Sequence, residues 1–346
     1  MKALVLKAYK EFEVADMPEP AVGENDVLIR VEACGICGSD VHGMDGSTGR
    51  RRPPIVMGHE ASGLVDKVGP GVKDFKVGER VTFDSTIYNP ESYFSRRGQV
   101  NLCDDRKVLG VSCEDYRQHG AFAELVAVPK HILYRLPEGM SFEQAAMVEP
   151  VSIAVHAKNL TPLETGDTAL VFGTGLIGLM AVQVLRQTAV KQIIAVDIED
   201  SKLAVAREVG ADHVINSKSA DVPAAVKALT AGRGADVAFE AVGIEATVRA
   251  AIESVRKGGT VTLVGNLARD VSIPLQAVVT RQIRLQGSCA SSGEYPECLD
   301  LIASGKVNVD RFISATAPLE EGPGWFDRLY KREPGLMKVL LKPNKN

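Results

Sequence analysis

The stretch "VFGTGLIGLMAV", residues 171–182, places a strong constraint on the fold, because Gly173, Gly175 and Gly178 stand in G-x-G-x-x-G spacing. A strand-like run precedes these glycines and a helix-like run follows them. In such a turn the first glycine permits a sharp bend, the second lets the backbone approach a pyrophosphate, and the third allows close helix packing. The N–H groups at the start of the helix then hold the phosphates.

The surrounding sequence alternates Val/Ile-rich strands with helices, which predicts a parallel sheet covered on both faces. Predicted strands occupy 168–173, 192–197, 213–216, 236–243, 259–265 and 283–288. Predicted helices occupy 176–187, 201–210, 222–230 and 245–255. This context favours a dinucleotide-binding domain over a chance arrangement of turn glycines.

Asp197 ends the second predicted strand, where a carboxylate can accept hydrogen bonds from the adenosine ribose and repel a 2′-phosphate. This position favours NAD over NADP. In the alternative interpretation, Asp197 is an N-cap of the following helix and the glycines form ordinary turns.

The flanking segments differ in pattern. From Met1 to about Val128, short alternating runs punctuated by Gly and Pro predict a β-rich unit. A helical segment follows at residues 141–160, and the chain ends with a predicted helix at 294–305 and a strand at 336–343 that could return to the first unit. A chain of 346 residues has room for two cores, so two domains are expected.

The amino-acid composition indicates what kind of molecule the protein binds. Apolar residues make up 45% of the chain and the net charge is −4, which favours a small-molecule partner over nucleic acid or an anionic membrane. No run approaches the ~20 apolar residues of a membrane span, so a cytoplasmic protein is expected. Six cysteines are too few for a disulfide scaffold, and we expect reduced, buried or metal-bound thiols.

Three further motifs, "CGICGSDVHG", "VMGHEASG" and "MVEPVSIAVH", supply Cys37, His59, Glu60 and Glu149. A thiolate, an imidazole and carboxylates suit a catalytic zinc that keeps one position open. Taken singly, each residue has an ordinary alternative: an inert buried thiol, a core histidine, or a glutamate at a helix end.

Together, "GICGSDVH", "GHE", G-x-G-x-x-G and "VEPVSIAVH" resemble the zinc-dependent medium-chain dehydrogenase/reductase family, and its sorbitol (polyol) dehydrogenase branch in particular. The resemblance runs from Met1 to the C-terminus. It implies an α/β protein with a GroES-like, partly open β-barrel catalytic domain, 1–152 and 290–346, and a Rossmann NAD-binding domain, 153–289. The active site is then expected in the cleft.

The resemblance also implies residue roles. Cys37 and His59 would bind zinc, as Glu60 does in some polyol dehydrogenases. Glu149 stands where simple alcohol dehydrogenases have a cysteine, and would bind zinc directly or through its water. Asp40 would orient His59, because a carboxylate partner fixes the imidazole tautomer.

Ser39 and His42 match the family's proton relay. The stretch "SDVH" can also cap a helix, with Ser39 as its N-cap, and the two roles are compatible. Cys34 is left as a structural residue. Expected cofactor contacts are Gly173, Gly175, Leu176, Ile177, Gly178, Asp197 and Lys202.

The reaction implied is reversible oxidation of a secondary alcohol of a polyol, or of its phosphate or acid, to a ketone by NAD⁺. L-threonine 3-dehydrogenase and secondary-alcohol or 2,3-butanediol dehydrogenase are the near alternatives, although Glu149 followed by Pro150 fits the polyol branch better. More distant alternatives are a zinc-free quinone-reductase-like protein and a non-catalytic nucleotide-binding protein. Arg50, Arg51 and Arg52 either meet a substrate anion or belong to a solvated loop.

Two expectations concern assembly and a second metal. Many relatives hold a structural zinc with four cysteines, but here those places read Asn89, Ser92, Ser95 and Cys103. One catalytic zinc per subunit is therefore expected, with no structural zinc. The strand at 282–288 should form a sheet edge that pairs across a two-fold axis, giving a homodimer or homotetramer.

Overall fold

The computed structural model describes residues 1–113 and 116–344. Contacts divide the chain into two compact units, Met1–Glu149 with Ser292–Asn346, and Pro150–Ser291. The predicted domain boundaries at 152/153 and 289/290 stay a prediction.

Within the described ranges, the strands are β1 Lys2–Ala8, β2 Glu11–Asp16, β3 Asp26–Gly35, β4 Ile55–Val56, β5 Glu60–Val68, β6 Arg80–Phe83, β7 Thr86–Ile87, β8 Lys107–Val108, β9 Ser112–Cys113, β10 Tyr116–Arg117, β11 Leu125–Pro129, β12 Leu133–Arg135, β13 Thr168–Phe172, β14 Gln192–Asp197, β15 His213–Asn216, β16 Ala235–Glu240, β17 Val255–Leu263, β18 Arg284–Gly287, β19 Ile313–Pro318 and β20 Lys338–Lys342.

The α-helices are α1 Gly38–Gly43, α2 Phe142–Ala146, α3 Val148–Leu160, α4 Leu176–Arg186, α5 Asp200–Glu208, α6 Val222–Leu229, α7 Glu245–Ser254, α8 Leu275–Thr280, α9 Tyr295–Ala303 and α10 Gly322–Tyr330. Short 3₁₀ turns lie at Ser95–Arg97, Val100–Leu102, Lys130–Ile132, Asp310–Phe312 and Leu319–Glu321.

The second unit contains a six-stranded parallel sheet in the order β15-β14-β13-β16-β17-β18. This is the doubly wound arrangement that the alternating pattern predicted, with β13 and β16 buried along their whole length. Phe172 pairs with Val196 on one side and Glu240 on the other, so the glycine loop after β13 lies at the same sheet edge as Asp197 and Glu240. Helix α8 was not predicted, because six residues are too short to show a helical period.

The first unit is built on a seven-stranded sheet, β12-β6-β5-β3-β20-β19, with β11 also paired to β3. The C-terminal strand β20 runs antiparallel to β3, pairing Leu340 with Gly35 and Leu341 with Cys34. The return of the chain end to the first unit is confirmed. This pairing also carries Lys338 to the neighbourhood of Gly35.

The core of the first unit is apolar and close-packed, with Phe122 and Phe326 meeting edge to face at 5.8 Å between ring centroids. The second unit has its own core on the strands of the parallel sheet. Of the described cysteines, Cys34, Cys37, Cys103, Cys289 and Cys298 are free thiols.

The helical segment predicted at 141–160 is two helices, α2 and α3, separated at Met147. Pro150 explains the break, because proline has no N–H to donate within a continuing helix but is tolerated in a first turn. The new start also places Glu149 in the first turn of α3. No helix in the described part of the chain is both long and apolar enough to cross a membrane.

Candidate active site

Cys37 lies in the short connection between β3 and α1, where it is the N-cap of α1. Its Sγ accepts the backbone N–H of Ser39 at 3.5 Å, and its own N–H donates to Asp40 Oδ2 at 3.4 Å. The sequence "CGICGSD" therefore folds locally so that the Cys37 thiol is held by the turn that starts the helix.

His59 and Glu60 reach the same place through strand pairing, since Glu60 is opposite Gly35 in the β3–β5 ladder. One ligand atom from each of Cys37, His59 and Glu60 lies within 4.8 Å of the other two. His59 and Glu60 are buried, with 6% and 1% of their surface exposed. The structure thus brings together three of the four predicted metal ligands.

Glu149 is not part of this trio, but its carboxyl belongs to the same electrostatic environment. Burial is the main reason that its pKa is raised well above the usual range, with Glu60 and Cys37 raising it further and His59 opposing them. Burial likewise raises the pKa of the Cys37 thiol to about 12, helped by Glu60.

A positive charge bound beside them would favour ionisation of the Cys37 thiol and the Glu149 carboxyl. A soft thiolate, an imidazole and carboxylates form a donor set that zinc accepts, so the residues fit a catalytic zinc. Direct ligation by Glu60 or by Glu149 remains a prediction.

Lys338 is a member of the site that sequence reasoning missed. Its Nζ lies 2.5 Å from Glu60 Oε2 and 3.0 Å from the Ile36 carbonyl oxygen, and the two charged side chains are only 2% and 1% exposed. Burial lowers the pKa of Lys338, but Glu60 and Cys37 outweigh that effect and the pKa is raised. The available signal was a lysine directly before the apolar run "VLL" of strand β20.

Asp40 is fully buried and lies beside the trio, as the resemblance implied. Its Oδ2 is 3.5 Å from His59 Nδ1, while its Oδ1 accepts two hydrogen bonds from Arg51, from Nε at 3.1 Å and Nη2 at 2.8 Å. Arg51 is 2% exposed. The buried ion pair with Asp40 shows that Arg51 does not belong to a solvated loop, so that interpretation was wrong for this residue, whereas contact with a substrate anion stays a prediction. Arg50 and Arg52 are exposed.

The two predicted relay residues sit on α1. Ser39 is exposed, and its Oγ accepts a hydrogen bond from Arg51 Nη2 at 3.2 Å. His42 is half-buried in the last turn of the same helix. The N-cap of α1 is Cys37 rather than Ser39, so the alternative role of Ser39 as a cap is wrong.

The glycine loop has the close packing expected of a dinucleotide site. A Cβ at Gly178 would come within 1.7 Å of the Gly173 carbonyl oxygen, and Gly173 has φ +85°, so both positions require glycine. A Cβ at Gly175 would meet no protein atom within 4 Å, which leaves open space where a pyrophosphate approaches the backbone. Leu176 and Ile177 are half-buried in the first turn of α4. The glycine loop therefore fits the pyrophosphate of a nicotinamide dinucleotide.

Asp197 ends β14 with its carboxylate held by three backbone N–H groups. Oδ2 accepts from Thr174 at 2.7 Å, and Oδ1 accepts from Ile198 at 2.7 Å and Glu199 at 3.0 Å. The carboxylate is half-buried and fixed beside the glycine loop, while the N-cap of α5 is Glu199. Lys202 pairs with Glu199 at 2.8 Å on the surface.

The four residues that stand where many relatives have zinc-binding cysteines lie together: Asn89, Ser92, Ser95 and Cys103. Ser92 Oγ donates to Ser95 Oγ at 2.8 Å, and the Asn89 N–H donates to Cys103 Sγ at 3.3 Å. Burial raises the pKa of Cys103, but hydrogen bonds from Ser92, Asn89 and Ser95 outweigh it and the pKa is lowered. Hydrogen bonds from both side chains and backbone of these residues hold the loop.

Comparison with known proteins decides the family. Residues 23–138 match the alcohol dehydrogenase GroES-like domain, and residues 177–304 match the zinc-binding dehydrogenase domain. The chain is 33% identical over 350 residues to sorbitol dehydrogenase from Bacillus subtilis (strain 168), covering 100% of this chain and 98% of that protein. The chain belongs to the zinc-containing alcohol dehydrogenase family.

Solved structures agree with this assignment. Alcohol dehydrogenase TADH from Thermus sp. ATN1 superposes with a TM-score of 0.93 at 32% identity, with 99% of each chain covered. The 2R,3R-butanediol dehydrogenase from Bacillus subtilis gives a TM-score of 0.88 at 31% identity, with 99% of each chain covered. As a member of this family, the protein is a zinc-type alcohol or polyol dehydrogenase that uses a nicotinamide cofactor.

Proposed function

We propose that the protein oxidises a secondary alcohol of a polyol to the ketone with NAD⁺, in a reversible reaction at one zinc per subunit. The observation that carries the proposal is the convergence of Cys37, His59 and Glu60 within 4.8 Å in a buried part of the first unit. Together with a fourth group, the carboxyl of Glu149, which lies in their electrostatic environment, they form a ligand set suited to an open zinc site.

Cys37 and His59 would hold the metal, and Glu60 or Glu149 would complete the ligand set. When bound, zinc supplies a Lewis acid for the alcohol oxygen, and the nicotinamide supplies the hydride acceptor. The reaction would remove a hydride from the substrate carbon and a proton from its hydroxyl, and the residues of the chain would have to accept only the proton.

The proton is accepted by Ser39, which is the exposed hydroxyl nearest in sequence to Cys37. His42, in the last turn of the same helix, is half-buried, and its ring would exchange the proton with solvent. Asp40 holds the His59 ring from its Nδ1 side throughout, since the two atoms lie 3.5 Å apart.

NAD is proposed over NADP because of Asp197. Its carboxylate is fixed by three N–H groups next to the glycine loop, where a 2′-phosphate would meet a negative charge. The pyrophosphate of the cofactor would be held by the glycine loop and the first turn of α4, at Gly173, Gly175, Leu176, Ile177 and Gly178. Lys202 would lie on the ribose side.

An uncharged polyol is proposed over a phosphate or a sugar acid. Arg51, one of the three guanidinium groups that could have met an anion, is committed to Asp40. The pair Glu149–Pro150 and the similarity to sorbitol dehydrogenase support a polyol. A vicinal diol such as 2,3-butanediol is the second candidate, supported by the structural match to 2R,3R-butanediol dehydrogenase.

A single screen tests the proposal. NADH formation at 340 nm is followed with sugar alcohols, their phosphates, sugar acids, threonine, 2,3-butanediol and simple secondary alcohols, alongside metal analysis of the dialysed protein. The highest kcat/KM is expected for a sugar alcohol, with one zinc per chain and with NAD⁺ preferred over NADP⁺. A preference for a phosphate, for threonine or for butanediol would replace the substrate proposal, and a zinc-free active enzyme would refute the mechanism.

We also propose that the protein forms a dimer or a dimer of dimers through the second unit. β18 is the last strand of the parallel sheet, and nearby Leu275 and Val279 are 63% and 65% exposed. A bare strand edge beside exposed apolar side chains is a surface that a second copy can cover. Light scattering should give at least twice the monomer mass, and Leu275→Glu should lower it; a wild-type monomer at micromolar concentration would contradict the proposal.

A further inference from the structure

Arg51 is a buried cation whose guanidinium contacts two neighbouring side chains on α1. Nε and Nη2 donate to Asp40 Oδ1 at 3.1 and 2.8 Å, and Nη2 also donates to Ser39 Oγ at 3.2 Å. The Arg51 and Asp40 side chains are 3% and 0% exposed. We propose that Arg51 is a positioning residue for the dehydrogenase reaction, which fixes the proton-accepting hydroxyl of Ser39 and the carboxylate that faces His59. The inference rests on the proposed function.

The backbone around Arg51 is built to admit its side chain. A Cβ at Gly43, the last residue of α1, would lie 2.5 Å from Arg51 Cγ, so any larger residue there would displace the arginine stem. The remaining arm, Nη1, donates to the Arg50 carbonyl oxygen at 3.3 Å. All three guanidinium nitrogens of Arg51 therefore donate hydrogen bonds, and these bonds fix the orientation of the group against α1.

Arg51 constrains Asp40 and Ser39 in different ways. Two N–H groups on one oxygen of Asp40 restrict rotation of the carboxylate and leave Oδ2 facing His59 Nδ1 and the Cys37 N–H. A third bond occupies one lone pair of Ser39 Oγ, so the Ser39 hydroxyl keeps its other lone pair and its proton for exchange. A lysine has a single nitrogen and cannot reproduce this planar fork.

The test compares Arg51→Lys and Arg51→Gln with Arg50→Gln, which removes the same charge from the adjacent exposed position. For Arg51→Gln, kcat on the best substrate of the screen should fall about 10–100-fold, the range found when a residue behind a metal ligand is removed. KM for NAD⁺ should change less than about twofold, because the glycine loop belongs to the other unit. Arg51→Lys should retain an intermediate kcat, and Arg50→Gln should match the wild type.

A spectroscopic readout separates positioning from general stability. With Co²⁺ in place of zinc, Arg51→Gln should shift the d–d absorption bands, because the orientation of His59 changes with the loss of the Asp40 contact. Arg50→Gln should leave the bands unchanged. Unchanged bands together with a wild-type kcat in Arg51→Gln would overturn the proposal.

A double-mutant cycle with Ser39→Ala tests the second contact. If Arg51 acts partly through Ser39, Arg51→Gln should lower kcat by a smaller factor in the Ser39→Ala background than in the wild type. Equal losses in both backgrounds would remove Ser39 from the proposal. If Arg51→Gln does not fold, the kcat and the Co²⁺ bands of Arg51→Lys test the proposal instead. If neither Arg51 variant folds while Arg50→Gln does, Arg51 serves stability and the proposal is overturned. A wild type without zinc or turnover refutes the proposed function instead.

Discussion

Replacing Lys338 by Met should lower the free energy of unfolding of the zinc-free protein by about 3–5 kcal/mol, the usual cost of leaving one member of a buried ion pair uncompensated. Lys338 Nζ lies 2.5 Å from Glu60 Oε2, and the side chains are 2% and 1% exposed. At an effective dielectric constant of about 20, Coulomb's law gives roughly 7 kcal/mol at this separation, part of which offsets the desolvation of both groups.

The matched control is Lys342→Met on the same strand, β20. Lys342 Nζ lies 2.9 Å from Glu143 Oε1, but these side chains are 41% and 28% exposed. Solvent screening limits such a pair to about 0–1 kcal/mol. The two variants remove the same group from the same element, so the difference between them measures the burial of Lys338 together with its hydrogen bond to the Ile36 carbonyl oxygen.

Urea unfolding followed by far-UV circular dichroism in EDTA measures both losses, with the m-values compared to exclude a changed unfolding mechanism. The double variant Glu60→Gln/Lys338→Met should regain part of the stability lost by Lys338→Met alone, because the unpaired carboxylate is gone. Equal losses for Lys338→Met and Lys342→Met would refute the argument that burial makes the Glu60 pair strong.

Three further predictions concern metal and cofactor. Cys37→Ser should abolish zinc binding and turnover while NAD⁺ affinity by fluorescence titration changes little, and wild-type turnover in this variant would exclude the proposed zinc site. Asp197→Ala should weaken NAD⁺ and raise the NADP⁺/NAD⁺ ratio of kcat/KM at least tenfold, about 1.4 kcal/mol, and an unchanged ratio would remove its role at the ribose. The triple variant Asn89→Cys/Ser92→Cys/Ser95→Cys should gain a second zinc per chain by metal analysis, against one in the wild type, since these side chains already lie together; one zinc in the variant would show that the lobe has lost the geometry.

Local pattern was sufficient for the nucleotide-binding unit apart from the six-residue helix α8. Each of its predicted strands and helices is present, because a parallel sheet buried on both faces requires continuous apolar strands and amphipathic covering helices. The glycine spacing was equally informative, since the Gly178 contact with the Gly173 carbonyl is a steric requirement within a few residues of chain. The segment 141–160 was less predictable: its helical composition is continuous, and the effect of Pro150 depends on where the helix starts.

The sequence by itself determined which groups the site can use: the thiol of Cys37, the imidazole of His59 and the carboxyls of Glu60 and Glu149 lie in recognisable motifs. Tertiary structure alone decided which charges these groups face. Lys338 reaches Glu60 only because β20 pairs with β3, and Arg51 reaches Asp40 only because the chain after α1 folds back on that helix. A charged residue in a sequence usually indicates a solvated surface, and only the packing around it decides whether its charge is neutralised inside the protein.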